Sequence, residues 1–225
     1  MCLTRAALIG GSASCPFFEH RVRPGLAQYT AGSVRDDVGG SRKDDAMTTY
    51  HFYTASSLDG FLADPDDGLG WLLSREFDET GPMNIPDFQA RIGANVMGAT
   101  TYEWLLAHGG VDSWPYEVPT FVFTHRELAA VNGDVRFVSG APADHREVIE
   151  SAAAERDVWV LGGGALAAAF ADDGMLDELT VTFAPVFLGS GRPLYGGARE
   201  LQLLEHAVNG EFLAARYAVL GPREA

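Results

Sequence analysis

Three consecutive glycines, Gly162, Gly163 and Gly164, interrupt the segment VWVLGGGALAAAF between Val158 and Phe170. Ahead of them, Val158-Trp159-Val160-Leu161 reads as a short strand buried on both faces. Behind them, Ala165 to Phe170 is composed of residues that lose little on becoming helical. Glycine is entropically costly, so a run of three at such a junction implies a need for bare backbone. One chemistry that needs it is phosphate binding, in which amide N–H groups at a helix N-terminus hold an anion. A tight strand-to-helix turn without a ligand explains the segment equally well.

Gly162, Gly164 and Ala167 also fit G-x-G-x-x-A, the spacing of the dinucleotide-binding fingerprint. That fingerprint follows the first strand of its fold and is answered by an acid ending the next strand. Here it comes late, and the next predicted strand ends Phe183-Ala184-Pro185 without an acid. A Rossmann domain is rejected.

A second strand-glycine-helix junction lies in VMGATTYEW, Val96 to Trp104, where Gly98, Ala99, Thr100 and Thr101 offer free amides and hydroxyls. Alone it is an ordinary turn with a threonine cap at Thr100. Together, two such junctions can clamp a dinucleotide. In PTFVFTHRE, residues 119–127, Thr124, His125 and Arg126 sit just past a strand, where ligand loops gather in a parallel sheet. His125 and Arg126 could hold a phosphate there. The turn SLDG places Asp59 after the first strand, either for its backbone hydrogen bonds or for catalysis. Trp71 and Phe88 are candidate pocket walls, although aromatic residues more often belong to the core.

These positions need a scaffold, and the element order supplies one. Strands are predicted at Tyr50–Ala55, Phe61–Ala63, Asn95–Gly98, Pro119–Thr124, Val135–Val138, Val158–Leu161, Asp177–Ala184, Leu201–Ala207 and Glu211–Leu220. Helices are predicted at Ile85–Ile92, Thr100–Leu106, Asp144–Arg156 and Ala165–Phe170. Asp144 and Glu147 have capping-box spacing. Val208-Asn209-Gly210 joins the last two strands as a hairpin. Alternating strands and helices, then a run of strands, imply an α/β sheet, mostly parallel, with an antiparallel C-terminal edge.

Composition narrows the partners. The 225 residues are 47% hydrophobic and 21% charged, with a formal net charge of −15. So negative a chain disfavours nucleic acid, whose phosphates need basic surface. No apolar run approaches the roughly 20 residues of a membrane helix. Cys2 and Cys15 make neither a disulfide framework nor a zinc site, which points to a reducing cytoplasm. The six histidines show no ligand spacing, so no metal is expected.

Residues 1–46 differ in kind. They hold six of the 16 basic and five of the 31 acidic residues, leaving 10 and 26 in residues 47–225. The break predicts a disordered N-terminal extension, 1–46, ahead of one domain, 47–225. Met47 reads as the natural start, which a mass measurement on the native N-terminus would check.

The ordered set TASSLDGFLA (54–63), VMGATTYE (96–103), VFTHRE (122–127), VWVLGGGALAAAF (158–170) and LDELTVTFAPVFLGSGRPLY (176–195) resembles the dihydrofolate reductase-like superfamily. In particular, it is similar to the reductase domain of bifunctional riboflavin-biosynthesis deaminase-reductases and their stand-alone relatives, across nearly all of residues 48–220. The resemblance implies a three-layer fold, a mixed sheet of about eight strands with helices on both faces. It implies NADPH-dependent hydride transfer to a small planar substrate, heterocycles included, like the riboflavin-pathway 5-amino-6-(5-phosphoribosylamino)uracil reductase.

By the same resemblance, Gly162, Gly163, Gly164, Ala165 and Leu166 hold the pyrophosphate, and Gly98, Ala99, Thr100 and Thr101 approach it from the other side. Thr124, His125 and Arg126 lie by the adenosine ribose and its 2′-phosphate, and Ala55 borders the nicotinamide. Asp59 is the catalytic candidate; Ser57, Trp71, Phe88 and Pro185 are candidate substrate contacts.

Three departures qualify the match. Ala99 stands where the family commonly has arginine, so NADH stays open beside NADPH. Asp87 is not a convincing equivalent of the pterin-binding carboxylate, which argues against folate reduction. No H-x-E…P-C-x-x-C deaminase signature occurs. A non-catalytic nucleotide-binding or regulatory module on the same fold is the alternative, and a homodimer through the C-terminal hairpin is open.

Overall fold

The computed structural model describes residues 48–109 and 114–223. The expected extension, 1–46, lies outside the described residues. Among the described residues, ten strands and five α-helices follow in chain order: β1 Tyr50–Ser57, β2 Phe61–Ala63, α1 Gly70–Leu73, α2 Ile85–Ala90, β3 Ile92–Gly98, α3 Ala99–Gly109, β4 Thr120–Phe123, β5 Val135–Val138, α4 Arg146–Ala153, β6 Asp157–Leu161, α5 Gly164–Asp172, β7 Glu178–Ala184, β8 Arg192–Pro193, β9 Arg199–Asn209 and β10 Phe212–Pro222.

Eight strands form one sheet in the order β5-β4-β3-β6-β1-β7-β10-β9, and β2 pairs with β8. From β5 to β7 every pairing is parallel. β10 runs antiparallel to β7, and β9 to β10. This is the expected mostly parallel sheet with an antiparallel C-terminal edge.

Period-two alternation divides the core into two layers. Tyr53, Met97, Val122, Trp159 and Leu161 face one side, packed with residues of α1, α2 and α3. Tyr50, Phe52, Val96, Phe121, Val158 and Val160 face the other, packed with α4 and α5 through Ile149, Ala167 and Phe170. Burying each large side chain contributes roughly 1.5–3 kcal/mol, so both faces are needed to hold a sheet of this size. No helix among the described residues is long and apolar enough to cross a membrane.

Local boundaries shift for identifiable reasons. The helix expected at Ile85–Ile92 stops at Ala90, because Ile92 enters β3, three residues before the predicted strand. Thr100 lies inside the first turn of α3, which starts at Ala99, and is not the residue ahead of it. The helix expected at Asp144–Arg156 is a 3-10 turn, Pro142–His145, followed by α4. Asp144 sits within that turn, where its carboxylate accepts from the Ala141 N–H at 3.1 Å. The close of α4 is tight, with Ala154 and Glu155 at positive φ. Gly93 of β3 is what lets it approach, because a Cβ there would strike the Ala153 carbonyl.

Candidate active site

The two strand-glycine-helix junctions are neighbours in space. β3 and β6 pair in parallel with Met97 opposite Leu161, so Gly98 and Gly162 leave the sheet at the same level. Thr101, buried in the first turn of α3, lies directly against Gly162.

The three glycines meet three different needs. Gly162 has φ +124°, and a Cβ there would collide with the Thr101 hydroxyl. Gly164 is pressed against the Leu194 carbonyl and the Tyr195 backbone, and its own carbonyl accepts from the Gly196 N–H at 3.3 Å. Gly163 has neither constraint. Its φ and ψ are −77° and 148°, its surroundings are empty to 4 Å, and it is exposed at the N-cap of α5. Gly98, at the end of β3, is equally open.

Around that opening the chain presents donors. Gly164 and Ala165 are the first residues of α5, so their N–H groups have no carbonyl one turn back to bond. The Leu166 and Ala167 N–H groups bond the Gly163 carbonyl at 3.1 and 3.3 Å. The first turn of α5 holds no acidic residue to repel an anion. Of the residues expected to hold a pyrophosphate, Gly163 and Ala165 are exposed at this opening and Gly164 is buried behind it, whereas the Leu166 N–H is taken up in helix bonding.

One strand further on, Thr124, His125 and Arg126 follow the end of β4 at Phe123. Thr124 turns its hydroxyl inward, accepting from the Arg126 N–H at 2.9 Å. Arg126 makes a two-pronged pair with Glu103 of α3, at 3.0 and 2.7 Å. Its fork is engaged by a carboxylate of this chain.

On the other side of the junctions, a cleft of about 670 Å³ opens between the C-terminal ends of β1 and β7 and the start of β10. Its floor is Ala55, Thr182, Ile85, Leu72 and Phe212, and its wall is the segment Leu73 to Glu79. Ala55 and Thr182 stand opposite each other in the β1–β7 register. Ala55, expected to border a nicotinamide, lines this cleft beside Thr182, a residue the sequence does not single out.

The hairpin turn holds the cleft wall in place. Asn209, buried, accepts from the Asp78 N–H at 2.8 Å and donates to the Asp78 and Pro82 carbonyls at 3.0 Å each. The Glu211 carboxylate accepts from the Glu76 N–H at 2.7 Å and from Arg75 at 3.3 Å. Those contacts hold the Glu211 carboxyl below its usual range. Gly210, at φ +58°, lets the Glu76 carbonyl approach where a side chain would block it. Asn-Gly at this position signals a hairpin; its second task as a clamp has no local signature.

Four of the expected site residues lie elsewhere. Phe88 is part of the core, edge-on to Tyr53 at 4.7 Å and to Trp159 at 5.3 Å, and does not reach the cleft. Ser57 is fully buried; its hydroxyl donates to Asp59 at 2.6 Å and accepts from the Phe61 N–H at 3.0 Å, so it serves the turn.

Asp59 is also structural. Its carboxylate accepts from Ser57 and from the Leu188 and Gly189 N–H groups, at 3.0 and 2.6 Å. The Ser57 hydrogen bond, with the two amides behind it, lowers its pKa, so the group is ionised at neutral pH and has no proton to deliver. Pro185 follows β7, exposed and outside the cleft lining. Trp71 packs against the core on α1, next to the lining residues Leu72 and Leu73. Asp87 is exposed in the first turn of α2, bonded to Asn84 at 2.8 Å and away from the cleft.

Comparison with known proteins places this geometry. Residues 51–213 match the RibD C-terminal domain family. YwjB, an uncharacterized protein of Bacillus subtilis (strain 168), is 32% identical over 145 residues, which are 64% of this chain and 80% of YwjB. A protein from Shewanella sp. PV-4, provisionally assigned to riboflavin biosynthesis, superposes with a TM-score of 0.67 at 24% identity, over 77% of this chain and 99% of that one. RibD of Acinetobacter baumannii superposes with a TM-score of 0.56 at 17% identity, over 78% of this chain and 58% of that one. At such identities the solved structures speak for the fold, and their sheet is the one described above. The family match covers both glycine junctions, the cleft floor and the clamp: the chain belongs to the RibD C-terminal domain family.

Proposed function

We propose that the protein is a reductase that passes hydride from a reduced nicotinamide dinucleotide, NADPH or NADH, to a small planar substrate in the cleft over Ala55 and Thr182. The observation that carries this reading is Gly163. Gly162 and Gly164 are explained by contacts within the protein, whereas Gly163 sits in open space at a helix N-terminus with an unstrained backbone. A bare residue there serves something that approaches from outside, and the amides beside it suit a pyrophosphate.

The bound dinucleotide supplies the hydride. The protein's own part is positional. Gly163, Gly164 and Ala165 fix the phosphates, and the gap over Ala55 leaves room for a flat ring against β1. The apolar floor of Leu72, Ile85 and Phe212 excludes water from one side of the substrate. With Asp59 committed to its turn, the accompanying proton comes from solvent at the open mouth.

Titration of NADPH and NADH into the full chain, followed by nicotinamide fluorescence, tests the reading. Saturable binding that Gly163→Val weakens at least ~10-fold, a loss of about 1.4 kcal/mol, supports it. Absence of binding by either coenzyme sinks it. Binding without oxidation by any acceptor favours a nucleotide-binding regulatory module instead.

The same reading includes a homodimer. β9 is a sheet edge, and the hairpin exposes Leu201, Leu203, Val208 and Leu213, an apolar face suited to a second copy. Sedimentation of Val208→Glu against the unaltered protein tests this, with a shift to monomer expected.

A further inference from the structure

We propose that Glu103 selects a coenzyme with a free ribose 2′-hydroxyl, making the site one for NADH over NADPH; this rests on the reductase reading above. The argument starts from the strand order. The cleft lies over β1, β7 and β10, and the opening at Gly98 and Gly163 lies over β3 and β6. A dinucleotide whose nicotinamide points into the cleft must run its other half the opposite way, over β4. Neighbouring strands are ~4.8 Å apart, so the step from β6 to β4 is about 10 Å, within reach of an adenosine joined to that pyrophosphate.

What waits there is a carboxylate–guanidinium pair, with the exposed His125 next to it. Glu103 stands one turn into α3 and Arg126 three residues past β4, joined by hydrogen bonds of 3.0 and 2.7 Å. In α3, in α5 and in residues 120–138 the only arginines or lysines are Arg126 and Arg136. Arg136 is likewise engaged in a two-pronged pair, with Asp134 at 2.9 and 2.8 Å. Ala99 and Ala165, which flank the opening, carry no charge.

A 2′-phosphate brings nearly two negative charges and seeks an unoccupied guanidinium fork. Here each fork faces a carboxylate already, so the phosphate would have to displace Glu103 and then remain beside it. A 2′-hydroxyl needs no displacement, because it donates to Glu103 while Arg126 keeps that carboxylate in place. An acid on the ribose hydroxyl is the general device for preferring the unphosphorylated coenzyme.

The test is paired titration of the full chain with NADH and NADPH, repeated on Glu103→Gln and Arg126→Ala. The unaltered protein is expected to bind NADH at least ~10-fold more tightly. Glu103→Gln, which frees Arg126 and removes the repulsion, should shift the ratio toward NADPH by a similar factor. Arg126→Ala provides a second reading: it should leave weak NADPH binding no weaker than before.

Tighter NADPH binding by the unaltered protein would overturn the proposal, as would an unchanged ratio in Glu103→Gln. So would an Arg126→Ala variant that loses NADPH affinity selectively. Failure to bind either coenzyme is a different result, which removes the reductase reading itself.

Discussion

The Thr101 hydroxyl fills the space that a side chain at Gly162 would need. Residues 61 positions apart thereby lock the α3 junction onto the α5 junction. Gly162→Ala combines that collision with a left-handed backbone, φ +124°, and is expected to lower stability by about 1–3 kcal/mol. Thr101→Ala in the same chain should recover part of the loss, since the hydroxyl is removed while the backbone strain stays. Denaturant unfolding of the two single variants and the double variant measures the coupling.

Gly163→Ala is the contrast. The site is open and the backbone ordinary, so stability should move by no more than ~0.5 kcal/mol. Coenzyme affinity should nonetheless fall. A matching loss of stability would mean that Gly163 serves the fold.

Asp59 ties the turn after β1 to the loop after β7. Asp59→Ala leaves the Leu188 and Gly189 N–H groups without their acceptor, so faster hydrogen exchange is expected across residues 185–191. Because the carboxylate is already ionised at neutral pH, Asp59→Asn should not move the alkaline limb of any turnover pH profile. A displaced limb would restore Asp59 as the proton donor.

Asn209 holds the cleft wall with three hydrogen bonds from a buried position. Asn209→Ala strands the Asp78 N–H and two carbonyls, a cost of about 1–3 kcal/mol. Hydrogen exchange should quicken at residues 76–82 while β3 and β6 keep their protection. An evenly distributed loss would mean that Asn209 acts only through the hairpin.

At the opposite end of the sheet, His51 is buried between Asp157, at 3.1 Å, and Glu178, at 3.4 Å. Burial opposes its charge, but hydrogen bonds and attraction to the two carboxylates outweigh it and raise the pKa above 6.5. A raised folded-state pKa gives stability that is complete below about 6.5 and is lost as pH climbs through the folded value.

Glu178 has the opposite sign. The His51 hydrogen bond and Arg216 hold its pKa down at about 2, so its contribution is present above 4.5 and fades as pH falls toward 2. Unfolding free energy should therefore be greatest on the acidic side of neutrality and decline at higher pH. His51→Gln should flatten the alkaline decline; an unchanged slope would show that the histidine is uncharged in the fold.

Much of the scaffold was legible because its causes are local. Apolar runs, alternation and glycine at strand ends located the sheet strands, both junctions and the Asn-Gly hairpin, since each rests on preferences within a few residues. The order of those segments then carried the family. The chain's acidity likewise showed in composition, because charge needs no geometry to be counted.

The site's assignments depended on tertiary structure. Phe88 and Trp71 look alike as candidate pocket walls, yet packing sends one into the core and leaves the other beside the cleft. Asp59 reads as a turn residue or as a catalytic acid until a loop 130 positions away supplies its donors. Gly164 needs Leu194, Asn209 needs Asp78, and Arg126 needs Glu103, each pair brought together only when the sheet closes. A side chain's role is set by what lies within about 3 Å of it, and those neighbours are distant in the chain.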